Sequence, residues 1–110
     1  MKIVKFQKNL VSLVLDGSKT STWRLFDDKN LSVGDKLELR EFNKDAPFAN
    51  ARILGVIEKS FSELTEADKK GHESFSSDED MYKTYSQYYK TNVDAQTKLK
   101  IIRFELTKSS

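Results

Sequence analysis

Residues 99–106 alternate, with Ile102, Phe104 and Leu106 on one face, and such a run is a β-strand half-buried against a core. A strand cannot stand alone, because its backbone N–H and C=O groups need partners. The rest of the chain must therefore supply a sheet. Residues 3–6 read as a short strand, and 20–26 combine Ser/Thr and aromatic side chains in a β-favouring run. Residues 36–42 alternate with Leu37 and Leu39 facing one way, entered through the turn Val33-Gly34-Asp35. The only proline, Pro47, follows Asn43-Lys44-Asp45 in a polar connection, after which 51–57 form a β-rich apolar run.

Between these strands the apolar spacing changes. In 8–16, Leu10, Val11, Val14 and Leu15 recur at helical intervals, and Asp16-Gly17-Ser18 ends the helix. Thr65-x-x-Asp68 has capping-box spacing within 62–71, which predicts a short helix. A clearer helix is predicted over 78–90, with Met81, Tyr82, Tyr85 and Tyr89 on one face. The order strand, helix, three strands, two helices, strand predicts an α+β fold around a curled sheet; periodicity does not by itself distinguish a barrel. No internal repeat is present, so the elements are expected to share one core. At 110 residues the expectation is a single domain over 1–110 with a polar tail, Ser109-Ser110.

Composition narrows the function classes. Hydrophobic residues are 37% and charged residues 33% of the chain, too apolar for a disordered segment. With no cysteine, disulfides and thiolate metal sites are excluded. No apolar run approaches the length that crosses a bilayer, so the expectation is a cytoplasmic protein with no membrane partner. Residues 1–56 carry ten basic and seven acidic groups, 57–80 three and eight, and 81–110 six and two. The basic flanks suit a phosphate-bearing ligand, and the acidic middle suits a carboxylate lining a site or a protein-binding surface.

The segment Gly17-Ser18-Lys19-Thr20-Ser21-Thr22-Trp23-Arg24 resembles the G-x-K-x-x-T-x-R signature that opens ASCH domains. Its setting, after an amphipathic helix and before a strand, is also similar. Leu31 to Leu37 resembles the family's V-G-D turn, and Ser62 to Ser74 resembles its acidic helical insert. With the closing strand, the resemblance covers nearly the whole chain. It implies a PUA-like fold, a small curled β-barrel with about three flanking helices and a cleft between barrel and helices. It also implies RNA or a modified nucleoside as partner, with no cofactor. Some bacterial members are amidohydrolases that deacetylate N(4)-acetylcytidine. Carried over by motif, the catalytic residues would be Lys19, Thr22 and Glu73, with Glu66 as the alternative carboxylate. The competing function is a non-catalytic RNA-binding module.

The chemistry sets its own conditions. A threonine hydroxyl attacks only when a base takes its proton, and a lysine serves as that base only when burial or a neighbouring cation lowers its pKa. Arg24 could be that cation. Glu73 as a proton donor needs a raised pKa in an apolar cleft. In a regular strand positions three apart face opposite ways, so Lys19 is expected in the turn, with Thr20, Thr22 and Arg24 sharing one strand face. Arg24 could hold a phosphate or carbonyl, or pair with Asp27 or Asp28 at the surface. Trp23 is either a core residue or a stacking platform for a base, and the tyrosines of 82–89 either core or stacking groups. His72 has only Glu73 as a neighbouring donor, so it is read as lining the cleft, with no metal site. The substrate-binding set is thus Arg24, Thr20, Trp23 and His72.

Overall fold

The computed structural model describes residues 1–107; the Ser109-Ser110 tail lies outside them. The closing strand, β5 (Lys98–Thr107), is buried on both faces. Ile102 and Phe104 face one cluster of buried side chains, with Val4, Phe6, Val14, Leu37, Leu39 and Ile53. Leu99 and Ile101 face a second, with Trp23, Leu25, Phe61, Met81 and Tyr85. The expectation of one shared core is corrected here, because adjacent strand residues point to opposite sides and β5 has packing partners on each. Leu106, expected on the buried face, is exposed near the strand's end.

Strand β5 pairs antiparallel with β4 (Pro47–Ser60) along ten residue pairs and with the short β2 (Ser21–Arg24) on its other side. β4 pairs with β3 (Lys36–Glu41), and β3 pairs parallel with β1 (Lys2–Phe6), giving the order β1-β3-β4-β5-β2. Strand β4 is twice as long as the expected 51–57, beginning at Pro47 itself. A proline is tolerated at a strand's first position because its missing N–H costs no internal ladder bond. β1 and β2 are the sheet's edges, and the sheet curls into a half-barrel that brings them near each other. The Arg24 guanidinium donates to the Lys5 carbonyl at 2.8 Å, and Lys29 Nζ to the Ile3 carbonyl at 2.5 Å. Side chains thus satisfy carbonyls that a closed barrel would pair with backbone.

Three helices flank the sheet. α1 (Lys8–Leu15) buries Val14 and stops at Gly17, whose φ of +86° lets the chain turn back until Lys19 N donates to the Leu13 carbonyl at 2.9 Å. The acidic stretch gives a 3-10 turn (Phe61–Glu63) and a one-turn helix, α2 (Glu66–Lys69), closed by the Thr65–Asp68 capping box. α3 (Asp78–Tyr89) is capped by Ser77 and carries Asp78, Glu79 and Asp80 in its first turn, where they oppose the positive end of the helix dipole. It buries Met81 and Tyr85 against the second cluster. No helix among the described residues is long and apolar enough to cross a membrane.

Candidate functional site

Where the half-barrel's open seam meets α3, a cavity of about 350 Å³ is lined by Lys5, Phe6, Lys19, Thr22, Trp23, Arg24, His72, Glu73, Tyr85, Tyr88 and Tyr89 among others. Lys19 comes from the turn before β2, and Thr22 and Arg24 from β2 itself. His72 and Glu73 come from the connection between α2 and α3. Residues more than fifty positions apart meet here because the Gly71 carbonyl accepts from Thr20 N at 2.8 Å and Ser21 N at 3.1 Å. Gly71 has φ +74°, and a Cβ there would overlap Thr20 Oγ1. Glycine is therefore favoured by its backbone conformation, and any other residue would also force the Thr20 hydroxyl to move.

Lys19 is only 3% exposed, and its Nζ donates to Glu73 Oε1 at 2.5 Å. Burial lowers the Lys19 pKa, with the Glu73 carboxylate opposing it and the Arg24 charge adding to it. Burial alone would raise the Glu73 carboxyl, but His72, the Lys19 charge and the Lys19 hydrogen bond outweigh it and hold it below the usual carboxylate range. The condition that a resting proton donor would need, a raised Glu73 pKa, is thus not met: His72 and an ammonium at hydrogen-bond distance together stabilise the carboxylate more than the partly open cavity penalises it.

His72 is neutral, its pKa pushed down to about 4 chiefly by burial and then by the Lys19 charge. Nδ1 lies 2.9 Å from the Glu73 carbonyl and 3.1 Å from its carboxylate, both acceptors, so the proton sits on Nδ1. Nε2 then accepts from the Tyr85 hydroxyl at 3.2 Å. Burial, followed by the Glu73 charge, keeps the Tyr85 phenol protonated well above its ordinary range. A directed chain, Tyr85 to His72 to Glu73, meets Lys19 at the carboxylate.

Thr22 is buried, and its Oγ1 accepts from Arg24 Nε at 3.1 Å. The Arg24 guanidinium lies 5.2 Å from the Phe6 ring centroid, within cation–π range. Burial lowers the Arg24 pKa from its very high ordinary value, while Tyr89, Tyr85 and Glu73 oppose that. Arg24 does not pair with Asp27, whose carboxylate is held by Lys100 Nζ at 2.7 Å. Trp23 packs in the second core cluster and also lines the cavity; its Nε1 is buried with no partner among the described residues.

Lys19, Thr22, Glu73, Arg24, Trp23 and His72 thus border one cavity. Thr20 does not: β2 begins one residue later, at Ser21, and Thr20 is exposed and faces Gly71. Glu66, the alternative carboxylate, has a side chain 95% exposed on α2 and lies away from the cavity. Sequence reasoning missed Gly71 and the Tyr85 hydroxyl. Gly71 read only as the end of a short helix; the one signal available was the glycine itself, which permits the positive φ it adopts.

No protein-family model matches the sequence, and no curated protein matches it significantly. Solved structures do match in fold. An ASCH domain from Lactobacillus crispatus superposes with a TM-score of 0.70 at 12% identity, covering 96% of this chain and 79% of that one. Protein EF3133 from Enterococcus faecalis gives 0.75 at 18% identity, covering 90% of this chain and 70% of that one. The hypothetical protein PH0355 gives 0.74 at 22% identity, covering 97% of this chain and all of the other. With its five-stranded curled sheet, three flanking helices and seam cavity, this chain has the PUA-like fold of ASCH domains.

Proposed function

We propose that the seam cavity binds the base of an RNA-type nucleoside, and that Lys19, Thr22 and Glu73 hydrolyse an acyl group from its exocyclic amine, as in N(4)-acetylcytidine. The observation that carries this reading is the Lys19–Glu73 pair, a buried ammonium and a carboxylate 2.5 Å apart on the wall of a cavity of about 350 Å³ that also holds the Thr22 hydroxyl. Burying charge is costly and is most often retained where chemistry or recognition uses it. The volume lies in the range of small-molecule sites.

The proposed reaction conserves protons. Lys19 passes a proton to Glu73, and the neutral amine takes the Thr22 proton as Oγ1 attacks the acyl carbon. Arg24 Nε, already donating to Oγ1, stabilises the developing alkoxide. The C–N bond then breaks, and the Glu73 carboxyl protonates the departing amine. Water attacks the Thr22 ester with Glu73 as base, and Lys19 reprotonates Oγ1 as the acid leaves. A final proton transfer from Glu73 to Lys19 restores the ion pair.

A second reading has its own observation. Glu73 is held ionised, so the resting pair presents one acceptor and one cationic donor, suited to reading a base edge without chemistry. Incubating the protein with N(4)-acetylcytidine, following cytidine release, and separately titrating cytidine tests both readings. Turnover lost in Lys19→Ala supports the hydrolase. Saturable cytidine binding without turnover leaves the binding module alone, and absence of both removes the two readings together.

A further inference from the structure

A second cavity of about 280 Å³ lies beyond Arg24, which together with Tyr89 forms a wall of both. Arg24 has five N–H donors. One goes to Thr22 Oγ1 and one to the Lys5 carbonyl, and among the described residues no carboxylate lies within ion-pair distance of it. A cation that is largely enclosed, hydrogen-bonded in place and in contact with no carboxylate, with Glu73 and Asp27 acting on it only from a distance, can hold an anion. The carboxylate that could have neutralised it, Asp27, is already taken by Lys100 and by the backbone N–H groups of Lys29 and Leu31.

Phe26 stands two residues further along the chain, where β2 has ended. Trp23 and Leu25 turn inward to the second core cluster, and Phe26 lines the second cavity with Arg24 while remaining 64% exposed. Its backbone is left-handed, at φ +52°, which a bulky side chain rarely adopts. Its ring meets Tyr89 in a T-shaped contact at 5.8 Å and makes no other aromatic pair among the described residues. An exposed, braced aromatic beside a fixed cation is the arrangement that stacks one base while its phosphate is held.

We infer that the ligand is a nucleotide within a strand, at minimum a dinucleoside monophosphate: one base in the seam cavity, the linking phosphate on Arg24, and the adjoining base stacked on Phe26. This rests on the base-binding reading above and deepens it. Asp28, also on the second cavity, repels a further phosphate there and leaves an acceptor for a sugar hydroxyl, which favours a short reach over a long backbone track.

Calorimetric titration with cytidine, cytidine 5′-monophosphate, cytidine 3′-monophosphate and the two dinucleoside monophosphates of cytidine and uridine tests it. The expected result is at least one dinucleotide binding about tenfold more tightly than either mononucleotide. Phe26→Ala, a surface change that leaves the fold intact, then removes that factor and leaves cytidine affinity unchanged. A dinucleotide no tighter than a mononucleotide, or one indifferent to Phe26→Ala, overturns the inference while cytidine binding still upholds the base site. Absence of binding by all five ligands overturns both.

Discussion

The imidazole of His72 lies flat on the indole of Trp23, with ring centroids 3.8 Å apart and planes within 13°. The stack does two things at once. It removes His72 from water, which depresses its pKa, and it fixes the ring so that Nδ1 meets Glu73 while Nε2 meets Tyr85. Trp23 is thus a core residue that also borders the cavity, with one face of its indole taken up by His72.

That burial has a measurable consequence for stability. An unfolded histidine titrates near 6.5 and the folded one at about 4, so between these values the unfolded chain binds the extra proton and acid favours unfolding. The His72 contribution is expected to be level above pH 7 and to fall as pH drops from about 6.5 to 4, by roughly 3 kcal/mol. Carboxylates held low in the fold, Asp27, Asp68 and Glu73 among them, add their losses at the acid end. Urea unfolding at half-unit pH steps checks this. A His72→Gln variant should flatten the 6.5-to-5 portion, and an unchanged slope there would place the loss elsewhere.

Gly71 is expected to accept no side chain. In Gly71→Ala the new Cβ meets Thr20 Oγ1 and the positive φ is strained, together costing about 2–3 kcal/mol. The double variant Gly71→Ala/Thr20→Ala removes the overlap and retains the backbone strain, so about 1 kcal/mol of loss should remain. Thermal or urea unfolding of the two variants separates the contributions, and equal losses would mean that the overlap is relieved by a small shift at no cost.

How much of this was legible beforehand depends on sequence distance. The helix at 78–90, the capping box at Thr65 and the closing strand were visible, because caps and periodicity are local. So was Lys19 in the turn, since Gly17 ends α1. The parallel β1–β3 pairing was not visible, because α1 and β2 intervene and hairpin logic looks only to neighbours. Glu73 rather than Glu66 reaches the cavity because a carbonyl at Gly71 binds two amides fifty residues away, and no local pattern encodes that. The sense of the Glu73 pKa change was not legible for the same reason. Burial could be guessed from the motif, but a lysine at 2.5 Å belongs to the fold.

The Lys19–Glu73 pair should be far more costly to halve than to remove. Lys19→Met leaves the Glu73 carboxylate half-buried without its ammonium, for a loss of about 3 kcal/mol at pH 7. Glu73→Gln in the same background restores most of that, because no orphan charge remains. With Lys19 gone, His72 still opposes burial but the charge and the hydrogen bond of Lys19 are both lost, so the Glu73 carboxyl rises and the Lys19→Met penalty shrinks as pH falls. Unfolding of the single and double variants at pH 7 and pH 4.5 completes the cycle. Additive losses would show that the two groups do not act as a pair in solution.

Thr22 separates chemistry from support. Its hydroxyl is buried and accepts from Arg24 Nε, so Thr22→Val keeps the side-chain shape and loses about 1 kcal/mol with that hydrogen bond. If Oγ1 is the nucleophile, kcat/KM for N(4)-acetylcytidine falls at least about a hundredfold in Thr22→Val, because no atom remains to carry the acyl group. Thr22→Ser retains the oxygen and should stay within about tenfold of the parent. Cytidine affinity should change little in either variant, since the hydroxyl is spent on Arg24 rather than on the base. Steady-state kinetics beside unfolding curves distinguishes the roles. Equal activity in Thr22→Val and Thr22→Ser would assign the attack to water activated by Glu73 and leave Thr22 only to orient Arg24.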